Sequence, residues 1–259
     1  MKLAFMSSVW RDATLEQLIA AGHKYGYQAI EFRPEWKHAH GVELTASAAD
    51  RQSIARTLRE GGLPGCCLSP GLRFNAPDPQ KREAELAKLM QYIDLAADTG
   101  IPLVRVFGDP LPNGGAGARA AAYRILGDVY GRAASHAAKA GVRLALETHA
   151  NCRAFDVGEI MFQAGYPSAM RVNWHLSHCL NHGEDVDEAY RHIKGRIAHA
   201  HFSVAENDKA GLPALQRQWQ LLSDEGYAGC WSVEVIDPPK PEEVLQKHAA
   251  AWPSMARSA

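Results

Sequence analysis

Short apolar segments alternate with longer amphipathic segments along the whole chain, and this alternation constrains the fold more than any other feature. The apolar segments have the length of strands, whereas the segments between them have the spacing of helices. Eight such strand–helix units follow one another in 259 residues without a linker-like change of composition. The series predicts an α/β protein with one (β/α)8 TIM barrel, formed by residues 1–259 as a single domain.

The predicted strands are Lys2–Met6, Tyr27–Arg33, Gly65–Ser69, Leu103–Phe107, Val142–Glu147, Met170–Trp174, Arg196–Phe202 and Gly229–Ile236. The predicted helices are Thr14–Tyr25, Ser47–Glu60, Pro79–Thr99, Ala118–Ala140, Val157–Ala164, Val186–Ile193, Pro213–Glu225 and Pro241–Trp252. Gly108–Gly117 is a glycine-rich loop, and its segment Asn113–Gly117 is interpreted as a flexible loop on the active-site side, with a phosphate cradle as the alternative. An open doubly wound sheet is the alternative, but it usually has a glycine-rich turn after its first strand, and Ser7–Trp10 contains no glycine.

Charge and cysteine content narrow the functional classes. Lys plus Arg number 28 and Asp plus Glu number 29, so the chain lacks the positive field of a dedicated nucleic-acid binder. Its apolar segments fall short of the roughly 20 residues that span a bilayer, and the first residues do not resemble a signal peptide. Five cysteines without a C-x-x-C pair favour a reducing compartment. We therefore expect a cytoplasmic protein without membrane or nucleic-acid partners.

The chemistry is expected at the carboxyl ends of the strands, where TIM barrels place their reactive groups. Four consecutive strands end in Glu or His, namely Glu147, His175, His201 and Glu234. Two carboxylates and two imidazoles suit one divalent cation and leave positions open for a substrate. This donor set favours Mn²⁺, Co²⁺, Zn²⁺ or Fe²⁺ over Mg²⁺. A metal-free network of hydrogen-bonded polar residues is the alternative.

Further side chains are candidates for binding a substrate. His149 follows Glu147 on the inner face of its strand, and Arg33 and Arg105 also face the barrel mouth by the period of two. Either arginine could neutralise an anionic substrate group or pair with Glu31 as a structural salt bridge. Trp10 could stack on a sugar, or it could be an ordinary aromatic residue of the rim.

The loop after the second strand is a weaker candidate. His38 and His40 lie in this loop and are expected to be solvated, and the segment Trp36–His38 could form a lid.

The strand ends resemble those of the xylose isomerase-like barrel superfamily, in its sugar phosphate isomerase/epimerase branch. The resemblance rests on four segments: Leu-Glu-Thr-His at 146–149, Asn-Trp-His-Leu-Ser-His at 173–178, His-Ala-His-Phe at 199–202 and Ser-Val-Glu-Val at 232–235. It implies one divalent metal held by Glu147, His175, His201 and Glu234, with both glutamates as acid and base and His178 on the substrate. His175 departs from the family pattern, which usually has Asp at that position.

The resemblance implies an isomerase or epimerase of a sugar, sugar phosphate or keto sugar, acting through a metal-stabilised enediolate. It also implies a carbohydrate-like small molecule as the partner and allows a homodimer. A sugar or cyclitol dehydratase on the same scaffold is the nearest alternative, because elimination begins with the same proton abstraction. An apurinic-endonuclease-like repair enzyme is a weaker alternative, because this chain lacks the additional metal ligands that such enzymes need. A non-catalytic sugar-binding barrel is the remaining alternative.

Overall fold

The computed structural model describes residues 1–204 and 208–256. Eight parallel strands form a closed barrel in chain order, β1 to β8, which confirms the predicted single (β/α)8 barrel. Residues 205–207 and 257–259, which the predicted domain 1–259 includes, lie outside the described residues.

The strands are β1 Lys2–Met6, β2 Ala29–Phe32, β3 Gly65–Leu68, β4 Leu103–Phe107, β5 Arg143–Glu147, β6 Met170–His175, β7 Ile197–Phe202 and β8 Cys230–Val233. The helices of the described ranges are α1 Leu15–Tyr25, α2 Ala48–Glu60, α3 Pro79–Thr99, α4 Gly115–Ala140, α5 Ala154–Gln163, α6 Leu176–Asn181, α7 Val186–Ile193, α8 Leu212–Asp224 and α9 Pro241–Met255. A 3₁₀ turn, Ser7–Trp10, follows β1.

Glycines and caps set the ends of the helices as the sequence indicates. Thr14 accepts a hydrogen bond from the backbone N–H of Gln17 in a capping box at the start of α1. Gly100 and Gly141, with φ of 74° and 72°, end α3 and α4 in the left-handed conformation. These local signals explain why α3 is predicted with its exact bounds.

Other bounds were predicted less accurately. β2 and β8 are shorter than expected at both ends, so Arg33 and Glu234 lie just beyond their strands. α4 begins at Gly115, inside the segment interpreted as a flexible loop, because glycine does not prevent a helix that tertiary packing stabilises. The six-residue helix α6 was not predicted, since it follows β6 directly without a turn residue to mark it.

The period of two along the strands separates the core from the barrel interior. Leu144 and Leu146 of β5 are fully buried in the large hydrophobic core. A separate small cluster comes from the amino-terminal parts of the strands and consists of Ala4, Ala29, Cys66, Cys67 and Leu103. Small apolar side chains therefore fill that end of the barrel, and the polar residues collect toward the carboxyl end.

No helix in the described ranges is long and apolar enough to cross a membrane.

Candidate metal centre

Four side chains from consecutive strand ends converge inside the barrel. Glu147, His175, His201 and Glu234 each offer one donor atom, and these atoms lie within 4.8 Å of one another. Register explains the convergence, because His175 pairs with His201 across β6 and β7, and His201 pairs with Ser232 two residues before Glu234. The inward alternation predicted from the sequence is thus present at all four positions.

The four donors form a closed ring of alternating oxygen and nitrogen atoms. His201 Nδ1 lies 3.0 Å from Glu147 Oε1 and 3.1 Å from Glu234 Oε2. His175 Nδ1 lies 3.3 Å and 3.1 Å from the same two oxygens. Each nitrogen thus faces two carboxylate oxygens, although it can carry only one proton.

The spacing of this ring also fits a single cation. Ligands bound at about 2.1 Å and separated by roughly right-angled or tetrahedral angles lie about 3.0–3.4 Å apart. The observed oxygen–nitrogen separations of 3.0–3.3 Å fall in that range. The donor set of two carboxylates and two imidazoles therefore fits one divalent ion in both chemistry and spacing.

Glu31 contacts the His201 nitrogen that does not face the donor ring. Both Glu31 carboxylate oxygens lie 3.0 Å from His201 Nε2, and Oε2 lies 2.9 Å from His199 Nε2. Ser69 Oγ donates a hydrogen bond to Oε1. A carboxylate that accepts the Nε2 proton fixes the imidazole tautomer that presents the Nδ1 lone pair to a metal. Glu31 was considered at the sequence level only as a partner of an arginine.

Arg105 pairs with a different carboxylate from the one suggested by the sequence. Its Nε lies 3.4 Å from Glu147 Oε2, and both side chains are fully buried. Its Nη2 donates to the carbonyl of Ser69 at 3.1 Å. The alternative of an Arg105–Glu31 salt bridge is therefore wrong, because Glu31 is taken up by the two histidines of β7.

Opposite charges inside the barrel stabilise the ionised forms of the acids. Burial alone would raise the pKa of Glu147, but His201 and Arg105 outweigh it and hold that pKa well below its usual range. Burial would likewise raise the pKa of Glu234, and His201 and His175 lower it. Both glutamates are therefore carboxylates at neutral pH, the state needed in a base and in a metal ligand.

A row of imidazoles extends from the donor ring toward the mouth. The His178 ring lies 4.3 Å from the His175 ring and 4.5 Å from the His149 ring. Asp109 Oδ1 lies 2.9 Å from His149 Nδ1 and orients that ring. Burial and the neighbouring histidines lower the pKa of His178 to about 3. Its ring is therefore neutral at pH 7 and can donate one hydrogen bond to a hydroxyl group and accept one from another.

The remaining predicted residues lie at the rim. Arg33 is buried beside the barrel mouth, and Trp10 is half-buried and packs against the hydrophobic core. His38 and His40 are also buried, at 7% and 3% exposed, so the expectation that they are solvated is wrong.

The backbone of the loop explains their burial. Trp36 and Lys37 have positive φ and turn the chain. His40 Nε2 then lies 3.0 Å from the carbonyl oxygen of Arg33, and His40 Nδ1 accepts from the N–H of Val42 at 3.0 Å. Hydrogen bonds that satisfy a ring within a folded loop have no periodic signature in the sequence.

A family model described as the xylose isomerase-like TIM barrel matches residues 19–255. The chain belongs to this family. The predicted resemblance is thereby confirmed over most of the barrel. A comparison with curated proteins found no match.

Three solved structures show how closely the xylose isomerase-like fold is shared. An L-ribulose 3-epimerase is 19% identical, with a TM-score of 0.78 over 98% of this chain and 93% of the other. The 3-keto-D-glucoside 4-epimerase YcjR from E. coli is 13% identical, with a TM-score of 0.78 over 97% and 98%. A D-psicose 3-epimerase from Clostridium cellulolyticum H10, solved with D-tagatose, is 14% identical, with a TM-score of 0.76 over 97% and 98%. At these identities the likeness establishes the fold.

Proposed function

We propose that this chain is a metal-dependent sugar isomerase or epimerase in which Glu147, His175, His201 and Glu234 bind one divalent cation. The ring of four donors, with each histidine nitrogen between two carboxylate oxygens at 3.0–3.3 Å, carries this proposal. Mn²⁺, Co²⁺, Zn²⁺ and Fe²⁺ suit the mixed nitrogen and oxygen donors better than Mg²⁺. Family membership and the epimerases of the same fold support a carbohydrate-like substrate.

The two glutamates are placed to move protons. Each presents one oxygen to the donor ring and retains a second oxygen outside it: Oε2 in Glu147 and Oε1 in Glu234. Glu147 Oε2 makes no hydrogen bond among the described residues, although it is fully buried beside Arg105. Glu147 and Glu234 come from strands separated by β6 and β7, so they can act from opposite sides of a bound carbon skeleton. One removes a proton from carbon and the other returns one.

The remaining groups bind and orient the substrate. A divalent ion in the ring would supply a Lewis acid for the negative charge that develops on two adjacent substrate oxygens. His178 holds a substrate hydroxyl through its neutral ring, and His149, oriented by Asp109, binds a second polar group at the mouth. Trp10 covers part of the rim. A homodimer and a cytoplasmic location remain predictions.

Solvent exchange distinguishes the possible reactions. The purified protein, loaded in turn with Mn²⁺, Co²⁺, Zn²⁺ and Fe²⁺, is incubated with ketoses, aldoses and inososes in deuterated water. Isomerisation or epimerisation gives a product with the molecular formula of the substrate and deuterium at the exchanged carbon. Loss of water with new ultraviolet absorption would instead identify a dehydratase on the same scaffold. Failure to retain any divalent metal would contradict the proposal.

Substitution of Glu31 tests the support of His201. Glu31→Gln should lower the affinity for the divalent ion about 10- to 100-fold, the usual cost of losing a carboxylate behind a metal-bound histidine. Competition with a chromophoric chelator measures this affinity. Glu60→Gln, an exposed position at the end of α2, is the control and should leave it unchanged. Equal affinities in all three proteins would show that Glu31 does not position His201.

Metal binding should also release protons. Without an ion, His175 Nδ1 and His201 Nδ1 each lie between two carboxylate oxygens and must carry a proton there. Burial alone would lower the pKa of His175, but Glu147 and Glu234 raise it to about 9. The pKa of His201 is also raised, since its three carboxylate neighbours outweigh burial.

An ion that binds at pH 7 therefore displaces about two protons, and its affinity rises with pH as the two histidines lose their protons. Calorimetric titrations in buffers of different ionisation enthalpy count the released protons. Binding with no proton release would contradict ligation by the two Nδ1 atoms.

A further inference from the structure

Three arginines lie on, or shortly after, three consecutive strands of the barrel. Arg33 follows β2, Arg73 lies in the loop after β3, and Arg105 belongs to β4. The guanidinium carbons of Arg73 and Arg105 lie 3.5 Å and 3.6 Å from the centre of the Phe107 ring. Three cations from neighbouring strands therefore occupy one side of the mouth.

Arg33 is the least satisfied of the three. Its side chain makes no hydrogen bond and no ion pair within residues 1–204 and 208–256, although the residue is only 6% exposed. The Nε atom is buried and unpartnered, and the guanidinium carbon lies 4.0 Å above the ring of Trp36. A buried cation without a partner is costly, and stacking on an aromatic ring repays only part of that cost.

The other two arginines also retain free N–H groups. Nη1 of Arg73 and Nη1 of Arg105 are buried and have no hydrogen-bond partner among the described residues. Arg73 Nη2 lies 3.6 Å from Asp109, a loose contact. Burial and the charge of Arg105 lower the pKa of Arg33 to about 10, although Glu234, Glu147 and Glu35 act to raise it.

The nearby carboxylates offset part of this charge but already face other groups, since Glu147 Oε2 lies 3.4 Å from Arg105 Nε. Glu147 and Glu234 face the two histidines of the donor ring, and Asp109 faces His149 at 2.9 Å. The unpartnered N–H groups of Arg33 and Arg73 are therefore available to an anion from outside the protein.

We infer that the substrate carries an anionic group, a carboxylate or a phosphate, which Arg33 and Arg73 bind at the mouth beside the donor ring. This inference rests on the proposed function, because it names the substrate class of the same site. A planar guanidinium with several free N–H groups matches both oxyanions in a bidentate geometry. A neutral sugar would leave the Arg33 cation buried and unpaired.

Anion binding is tested directly with simple probes. Inorganic phosphate and malonate are titrated calorimetrically into the full chain, with and without added Mn²⁺. One of them should bind with a 1:1 stoichiometry, and the tighter one identifies the anion. Arg33→Gln should weaken that binding about 10- to 100-fold, the cost of a charge-assisted hydrogen-bond pair. Arg33→Lys retains the charge but not the planar guanidinium group, so its affinity for the anion should lie between those of the unsubstituted chain and Arg33→Gln. Arg59→Gln, at an exposed position of α2, should match the unsubstituted chain.

Kinetics give the second measurement. Ketose phosphates, keto acids and neutral ketoses are compared as substrates of the Mn²⁺-loaded protein. Arg33→Gln should lower kcat/KM for the anionic class about 10- to 100-fold, mostly through KM. A melting curve equal to that of the unsubstituted chain shows that the variant is folded.

Two outcomes of the binding measurements would overturn the inference. One is that neither probe binds, and the other is that Arg33→Gln binds the probe as tightly as the unsubstituted chain. Efficient turnover of neutral ketoses by Arg33→Gln, with metal bound, would refute the anionic substrate and leave the isomerase proposal intact. Loss of metal binding would instead refute the isomerase proposal, whereas the calorimetry without metal still tests the arginines.

Discussion

Glu147→Gln and Glu234→Gln should each lower kcat by about 10²- to 10⁴-fold, which is the usual contribution of a positioned acid or base. Glutamine has nearly the same shape but cannot accept the proton, and it also removes one anionic oxygen from the donor ring. Steady-state turnover and solvent deuterium incorporation measure the effect. Because both glutamates are needed in one proton-transfer sequence, the double variant should be little worse than either single variant.

Metal content separates the two roles of each glutamate. A variant that retains the ion but loses deuterium incorporation has lost its acid or base, whereas one that loses both has lost a ligand. Glu60→Gln serves as the matched control and should be fully active. Near-normal turnover by either Glu147→Gln or Glu234→Gln would contradict the assignment. Circular dichroism confirms that each variant is folded, which matters most at Glu147 because Arg105 loses its partner.

Replacing His201 with glutamine should lower affinity for the divalent ion by more than about 100-fold, the upper range for residues that only support a ligand. His201 has a larger effect than the other donors because it contacts three carboxylates: Glu31, Glu147 and Glu234. Its loss leaves these three acids without their shared imidazole. Metal analysis after gel filtration, followed by chelator competition, measures the loss.

An exposed histidine provides the control for this variant. His182→Gln, just after α6, should bind the ion as the unsubstituted chain does. His199→Gln gives a second comparison, since His199 contacts Glu31 but does not belong to the donor ring. His199→Gln should lower the affinity for the divalent ion less than His201→Gln does. Equal metal affinity in His201→Gln and His182→Gln would exclude His201 as a ligand.

The barrel and its donor ring could be predicted from the sequence because both follow from local periodicity. Alternation along β5 places Leu144 and Leu146 in the core and Glu147 inside the barrel, and this orientation is confirmed. The structure places His201 in the donor ring and His199 outside it, since a residue at the end of a strand reaches the mouth and one two positions earlier lies deeper. The parallel register then brings the four strand ends together.

Contacts across the barrel and in the loops could not be predicted in the same way. Glu31 and His201 are 170 positions apart, and no periodicity shows that they meet. Arg73 belongs to a loop, so the alternation rule does not assign it to an inner or outer face. The burial of His38 and His40 depends on a turn with positive φ at non-glycine residues, which the sequence does not mark.

Most of these predictions depend on the expectation that one divalent ion binds between Glu147, His175, His201 and Glu234. A crystal structure of the Mn²⁺-loaded protein, with anomalous diffraction recorded at the manganese edge, tests it most directly. We expect one anomalous peak inside the ring, about 2.0–2.3 Å from each of the four donor atoms. A fully loaded crystal with its peak elsewhere, or with His175 turned away from the ion, would contradict it.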